Sequence, residues 1–103
     1  MDKIERLKEF LITSPNDSFV HHALALEYIK KGEEHKAKEL FEKILDIDEN
    51  YIGSYYHLAK LLERSGENEA AISTYEKGMK KAKEAGDQHA YNELQSAYED
   101  LIY

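Results

Sequence analysis

Residues Leu24–Leu45 read LALEYIKKGEEHKAKELFEKIL, and residues Leu58–Met79 read LAKLLERSGENEAAISTYEKGM. Each stretch sets a single glycine, Gly32 or Gly66, between two runs of helix-forming residues. An offset of 34 residues carries Leu24 onto Leu58, Ala25 onto Ala59, Gly32 onto Gly66 and Ala37 onto Ala71. The same offset carries His21 onto Tyr55, Tyr28 onto Leu62 and Phe41 onto Tyr75. Small residues fall on small and large on large, which marks a structural repeat.

Each repeat reads as two helices. In the first, Val20, Leu24 and Tyr28 recur every fourth residue with Ala25 beside them, one helical face. Gly32 ends that helix, because glycine enters the left-handed region without a Cβ penalty. The second helix carries Ala37, Leu40, Phe41, Ile44 and Leu45 on one stripe. Ala25 and Ala37 allow two helices joined by a short loop to approach closely. Phe41 and Tyr75 supply bulk to fill the space between neighbouring pairs. A lone pair has apolar surface on more than one side, so stacking of the next pair is expected to hide it.

Composition narrows the class. The chain has 103 residues, enough for one small domain, with 42% hydrophobic and 34% charged residues. A single proline, Pro15, and five glycines argue for long helices. The net charge of −7 opposes a phosphate backbone, so nucleic acid is not an expected partner. With no cysteine, disulfides and thiolate metal sites are excluded. MDKIERLKEF is charged throughout and is not a signal peptide, and no apolar run approaches the ~20 residues that span a bilayer. The expected location is the cytoplasm, and Met1 suggests a natural start.

The pattern resembles the tetratricopeptide repeat, written W-x2-L-G-x2-Y … A-x3-F … P. Repeat one reads His21-x2-Leu24-Ala25-x2-Tyr28, then Ala37-x3-Phe41, then Glu49. Repeat two reads Tyr55-x2-Leu58-Ala59-x2-Leu62, then Ala71-x3-Tyr75, then Lys83. There is no Trp, Ala replaces the first Gly, and neither repeat closes on Pro. Nothing stops the second helix of repeat two before Gly86, so a helix from about Glu67 to Ala85 is expected, longer than its counterpart.

The ends fit the same scheme. Leu7 and Pro15 are spaced as Phe41 and Glu49 are, so ERLKEFLITSPND resembles the second half of a repeat. Asp2 with Glu5 reads as a helix start, Ile4, Leu7 and Leu11 as its apolar face with Phe10 beside it. Asn16, Asp17 or Ser18 can cap the next helix. Gly86-Asp87 reads as stop then cap, before a helix bearing Ala90, Leu94, Ala97, Tyr98 and Leu101 on one face. Tyr91, Ile102 and Tyr103 fall outside that stripe and either pack back or form an adhesive end. The expected architecture is an all-α superhelix of about six helices in one domain, 1–103: a half repeat at 1–15, repeats at 18–50 and 51–85, and a capping helix at 87–103.

Motifs for chemistry are missing. The sequence contains no phosphate-binding glycine loop, H-E-x-x-H, G-x-S-x-G or cysteine nucleophile. Ser14, Ser18, Ser54, Ser65, Ser73 and Ser96 lie at helix ends or on polar faces. His21 matches Tyr55 and reads as a packing residue, while His35 and His89 read as solvated. His22 and His57 occupy near-equivalent faces of the two first helices, but a metal site needs a third ligand and none is spaced for it. Glu33-Glu34, and Glu67 with Glu69, read as acidic helix starts. No catalysis, cofactor or metal is expected.

The resemblance implies a protein- or peptide-binding adaptor, with the first helix of each pair lining a concave surface. The groove residues it implies are Phe19, His22, Leu26, Ile29 and Lys30 in repeat one, and Tyr56, His57, Lys60, Glu63 and Arg64 in repeat two. Phe19, Leu26 and Ile29 lie off the Val20-Leu24-Tyr28 stripe, so this helix is apolar on more than one face. The leading half repeat, the terminal helix, a homodimer or a ligand could cover them. A family subset grips the carboxylate end of chaperone tails through Lys and Asn at such positions. Here they are His22 and Leu26, then His57 and Lys60. Leu26 cannot hydrogen-bond a carboxylate, so an apolar or mixed ligand fits better. The alternative function is a structural homo-oligomerisation module.

Overall fold

A computed structural model describes residues 2–103. Among them lie six α-helices and no strand: α1 (Lys3–Thr13), α2 (Ser18–Lys30), α3 (Glu34–Ile47), α4 (Gly53–Arg64), α5 (Asn68–Ala85) and α6 (Gln88–Ile102). The chain divides into two compact units, Met1–Glu49 and Asn50–Tyr103.

In the N-terminal unit α2 packs against both α1 and α3. The Asp2 carboxylate accepts from the Glu5 amide at 2.8 Å, capping α1. The Asp17 carboxylate accepts from the Val20 amide at 3.1 Å, so of the three candidate caps for α2 it is Asp17 that serves. Val20, Leu24, Ala25 and Tyr28 of α2 are buried, as are Ala37, Phe41 and Ile44 of α3. Ala25 and Ala37 have no exposed surface at all, as the close-approach argument requires.

In the C-terminal unit α5 packs against α4 and α6, and α4 also touches α6. Tyr55, Leu58, Ala59, Leu61 and Leu62 of α4, Ala71, Tyr75 and Ala82 of α5, and Leu94 and Ala97 of α6 form its core. Ser54 sits at the start of α4, yet it is fully buried, because it takes the core position that Val20 holds in repeat one. At 18 residues α5 outruns the 14 of α3, running on until Gly86 ends it in the left-handed conformation at φ +71°.

Both first helices stop in the same way. Gly32 has φ +78° and Gly66 φ +80°. The Gly32 amide donates to Ile29 at 3.0 Å and the Glu33 amide to Tyr28 at 2.9 Å. The Gly66 amide donates to Glu63 at 3.0 Å and the Glu67 amide to Leu62 at 2.8 Å. These are the paired bonds of a Schellman turn, which satisfy carbonyls the ending helix would leave unpaired. Gly86 and Asp87 repeat the pair after α5, and the Asp87 carboxylate then accepts from the Ala90 amide at 3.0 Å to start α6.

Candidate functional site

The ten groove candidates divide evenly between α2 and α4, and each helix presents a different chemistry. On α2, Phe19 is 72% exposed, so none of the described residues covers it. Leu26 and Ile29 are half-buried. His22 stands edge-on to Phe41, ring centres 5.4 Å apart. Lys30 is exposed and pairs with Glu27 at 3.1 Å. Glu27 also meets Lys3 at 3.6 Å, and the hydrogen bond from Lys30 is the chief cause that holds its carboxyl below the usual range.

On α4 the same register is polar. The 34-residue offset carries His22 onto Tyr56, Leu26 onto Lys60, Ile29 onto Glu63 and Lys30 onto Arg64. It carries Phe19 onto Gly53, so the exposed aromatic exists in repeat one alone. Tyr56 lies edge-on to His57 at 5.6 Å, and the Lys60 ammonium sits 5.8 Å from the Tyr56 ring centre. Lys60 is 3.7 Å from the Glu63 carboxylate, which also accepts the Tyr75 hydroxyl.

The Tyr75–Glu63 bond explains a coupled difference between the repeats. Tyr75 corresponds to Phe41, and Glu63 to Ile29. A hydroxyl appears on α5 where α3 has none, and its acceptor appears on α4 where α2 has an isoleucine. Burial, then the hydrogen bond to Glu63, raises the Tyr75 hydroxyl far above an ordinary phenol. His57 is displaced the other way: burial disfavours its imidazolium, Arg64 adds to that, and Glu93 opposes both.

The remaining histidines sort by burial. His21 is 3% exposed; its Nε2 lies 2.8 Å from the Pro15 carbonyl, and its Nδ1 is buried without a partner. His35 is exposed and lies 3.0 Å from Glu39. His89 is exposed. No group of three or more His, Asp or Glu side chains suited to a metal occurs among the described residues. Among the described residues no helix is long and apolar enough to cross a membrane.

Sequence reasoning missed two features. Gly78 lies within α5, where a Cβ would stand 2.7 Å from the Tyr55 Cβ and 3.2 Å from Leu94 Cδ1. Its 34-residue counterpart is Ile44, so the signal was a glycine at a core position. In addition, α6 reads Tyr91-x2-Leu94-x3-Tyr98, the frame of a first helix at an offset of 36 from Tyr55, Leu58 and Leu62.

Comparison with known proteins gives a consistent picture. Residues 28–98 match a family model described as tetratricopeptide repeat. The crystal structure of a tetratricopeptide repeat domain protein from Salinibacter ruber is 41% identical with a TM-score of 0.80, covering 82% of this chain and 94% of that one. A solution NMR structure of a tetratricopeptide repeat domain protein from Salinibacter ruber is 41% identical with a TM-score of 0.81, covering 85% and 89%. The solution structure of a protein from Bordetella parapertussis is 26% identical with a TM-score of 0.83, covering 98% and 88%. No curated protein matches the chain.

Proposed function

The chain belongs to the tetratricopeptide repeat family, and on that premise we propose that it is a non-catalytic adaptor that binds a protein or peptide through the groove faces of its first helices, α2 and α4. The fold supports a general role in protein–protein interaction. The observation that carries the finer reading is the exposure of Phe19 beside half-buried Leu26 and Ile29, on a helix whose packing stripe is already buried. Exposed aromatic and branched side chains of this kind serve as anchors for a partner.

The two faces differ in what they suit: Phe19, His22, Leu26 and Ile29 of α2, with Lys30 at the edge, suit an apolar segment, and Tyr56, His57, Lys60, Glu63 and Arg64 of α4 suit a polar one. A neutral or mixed ligand suits a chain of net charge −7, nucleic acid does not, and the adaptor would work in the cytoplasm without cofactor or metal.

A pull-down from the protein's own cell extract tests this, run with wild type, Leu26→Asp and Tyr56→Ala, each confirmed helical by circular dichroism. Partners held by wild type are lost by Leu26→Asp and weakened by Tyr56→Ala. Retention of every partner by both variants refutes the assignment of these faces.

A further inference from the structure

We propose that the chain associates head to tail with copies of itself, α6 of one copy seating on α1 of the next as the first and second helices of a composite repeat. The inference is independent of the ligand reading above.

The register of α1 identifies its open side. At the 34-residue offset Phe41 falls on Leu7, and Ile44 falls on Phe10. Gly78, the same position in α5, faces Tyr55 of its own first helix and Leu94 of the following one. Position 10 therefore also looks two ways. The following first helix, α2, packs on α1. Yet Phe10 is 63% exposed where Ile44 is wholly buried, so the open side is that of a first helix. There Arg6, Glu9, Phe10 and Thr13 line a depression of about 310 Å³.

The register of α6 supplies the complementary half. At the offset of 36, Tyr91 takes the place of Tyr55, the residue that meets Gly78 of its own second helix. Tyr91, Gln95 and Ile102 follow at helical spacing on one stripe, apart from the buried Leu94 and Ala97, with Tyr98 at the border donating its hydroxyl to Glu76 of α5 at 3.4 Å. Tyr91 and Gln95 are half-buried and Ile102 is 37% exposed.

Charge favours a second copy as the occupant. Helix α6 holds Glu93, Glu99 and Asp100 and no Lys or Arg, whereas α1 sets Lys3, Arg6 and Lys8 against Glu5 and Glu9 for a net charge of +1. Lys3 pairs with Glu27 and Lys8 lies over the Tyr28 ring, so the α1 cation at the depression is Arg6. Glu99 falls at the offset of 36 on Glu63, which accepts the Tyr75 hydroxyl in repeat two. The α1 counterpart of Tyr75 is Leu7, and Arg6 beside it meets the Glu99 charge. Gln95 and Lys3 stand where Ala59 and Ala71 stand, so the composite pair is wider than the built-in ones and the association weak.

Light scattering of the full chain over a concentration series reads it. The mean mass of wild type rises with concentration and falls back as salt screens the charges. Phe10→Asp and Ile102→Asp change exposed residues, keep their helicity, and each stays at the mass of one chain. Their equimolar mixture forms a dimer, because one variant keeps an intact α6 and the other an intact α1. Arg6→Glu abolishes association and adding Glu99→Arg restores it. A wild type that stays monomeric throughout, a single variant that associates like wild type, or a mixture that stays monomeric overturns the proposal.

Discussion

A methyl group at position 78 tests how α4 and α5 are spaced. In Gly78→Ala the new Cβ would lie 2.7 Å from the Tyr55 Cβ, 3.0 Å from its Cγ and 3.2 Å from Leu94 Cδ1. The leucine tip can rotate away, but the Tyr55 Cβ is fixed to its backbone, so the helices must separate. Overpacking of this kind costs about 1–3 kcal/mol. Alanine returns about 1 kcal/mol of helix propensity over glycine. The net is a loss centred on about 1 kcal/mol, a fall in Tm of roughly 4–8 °C for a domain this small. Thermal and urea unfolding followed by circular dichroism measure it. Lys80→Gly, at an exposed site of α5, is the reference and loses about 1 kcal/mol through propensity alone. Tyr55→His in the Gly78→Ala background gives no rescue, because histidine keeps the offending Cβ. A Gly78→Ala protein more stable than wild type, or a rescue by Tyr55→His, refutes the steric argument.

Three further outcomes follow from the site and the turns. Tyr75→Phe removes a hydrogen bond to a charged acceptor and lowers stability by about 1.5–3 kcal/mol. The folded Tyr75 holds its proton above the ordinary phenol value of about 10 while the unfolded chain releases it, so stability falls as pH rises past that value, by about 1.4 kcal/mol per pH unit. Tyr75→Phe shows a shallower alkaline slope, and an unchanged slope contradicts the assignment. The His57 imidazole titrates by NMR below the ordinary histidine value of about 6.5, because burial disfavours its charge. Its contribution is complete above that value and is lost as pH falls, so His57→Gln is less sensitive to mild acid. Gly32→Ala and Gly66→Ala each cost about 1–2 kcal/mol in denaturant midpoint, and equally, since both sit near φ +80° with no neighbour within 4 Å of the added Cβ.

The elements readable in the sequence were those set by local chemistry. Gly32, Gly66 and Gly86 stop helices because the left-handed turn after a helix is a property of one residue and its own backbone. Asp2, Asp17 and Asp87 cap because a carboxylate reaches an amide three residues on. The extra length of α5 was legible as the lack of any stop before Gly86. What stayed hidden depended on contact between helices. Glu63 read as a groove residue, with no sign in the sequence that Tyr75 of α5 would donate to it. Gly78 drew no reading from the sequence, because what calls for it is the approach of Tyr55. The first-helix frame of α6 escaped because the longer α5 moved it from an offset of 34 to 36. Of the candidate site, helical phase set Phe19, Leu26 and Ile29 off the packing stripe of α2, and Phe19 is indeed exposed. The change from Ile29 to Glu63 was printed in the sequence, but its reason lay in the change from Phe41 to Tyr75 on the facing helix.

The Tyr55–Gly78 contact limits how far the two hairpins can be treated as exchangeable parts. Their counterparts are His21 and Ile44, a medium ring with a medium branch in place of a large ring with none. Grafting the α3 sequence onto the α5 position would drive an isoleucine into Tyr55, whereas moving an entire hairpin keeps each ring with its own matching gap. A longer array assembled from this chain must therefore be spliced at the loops between hairpins.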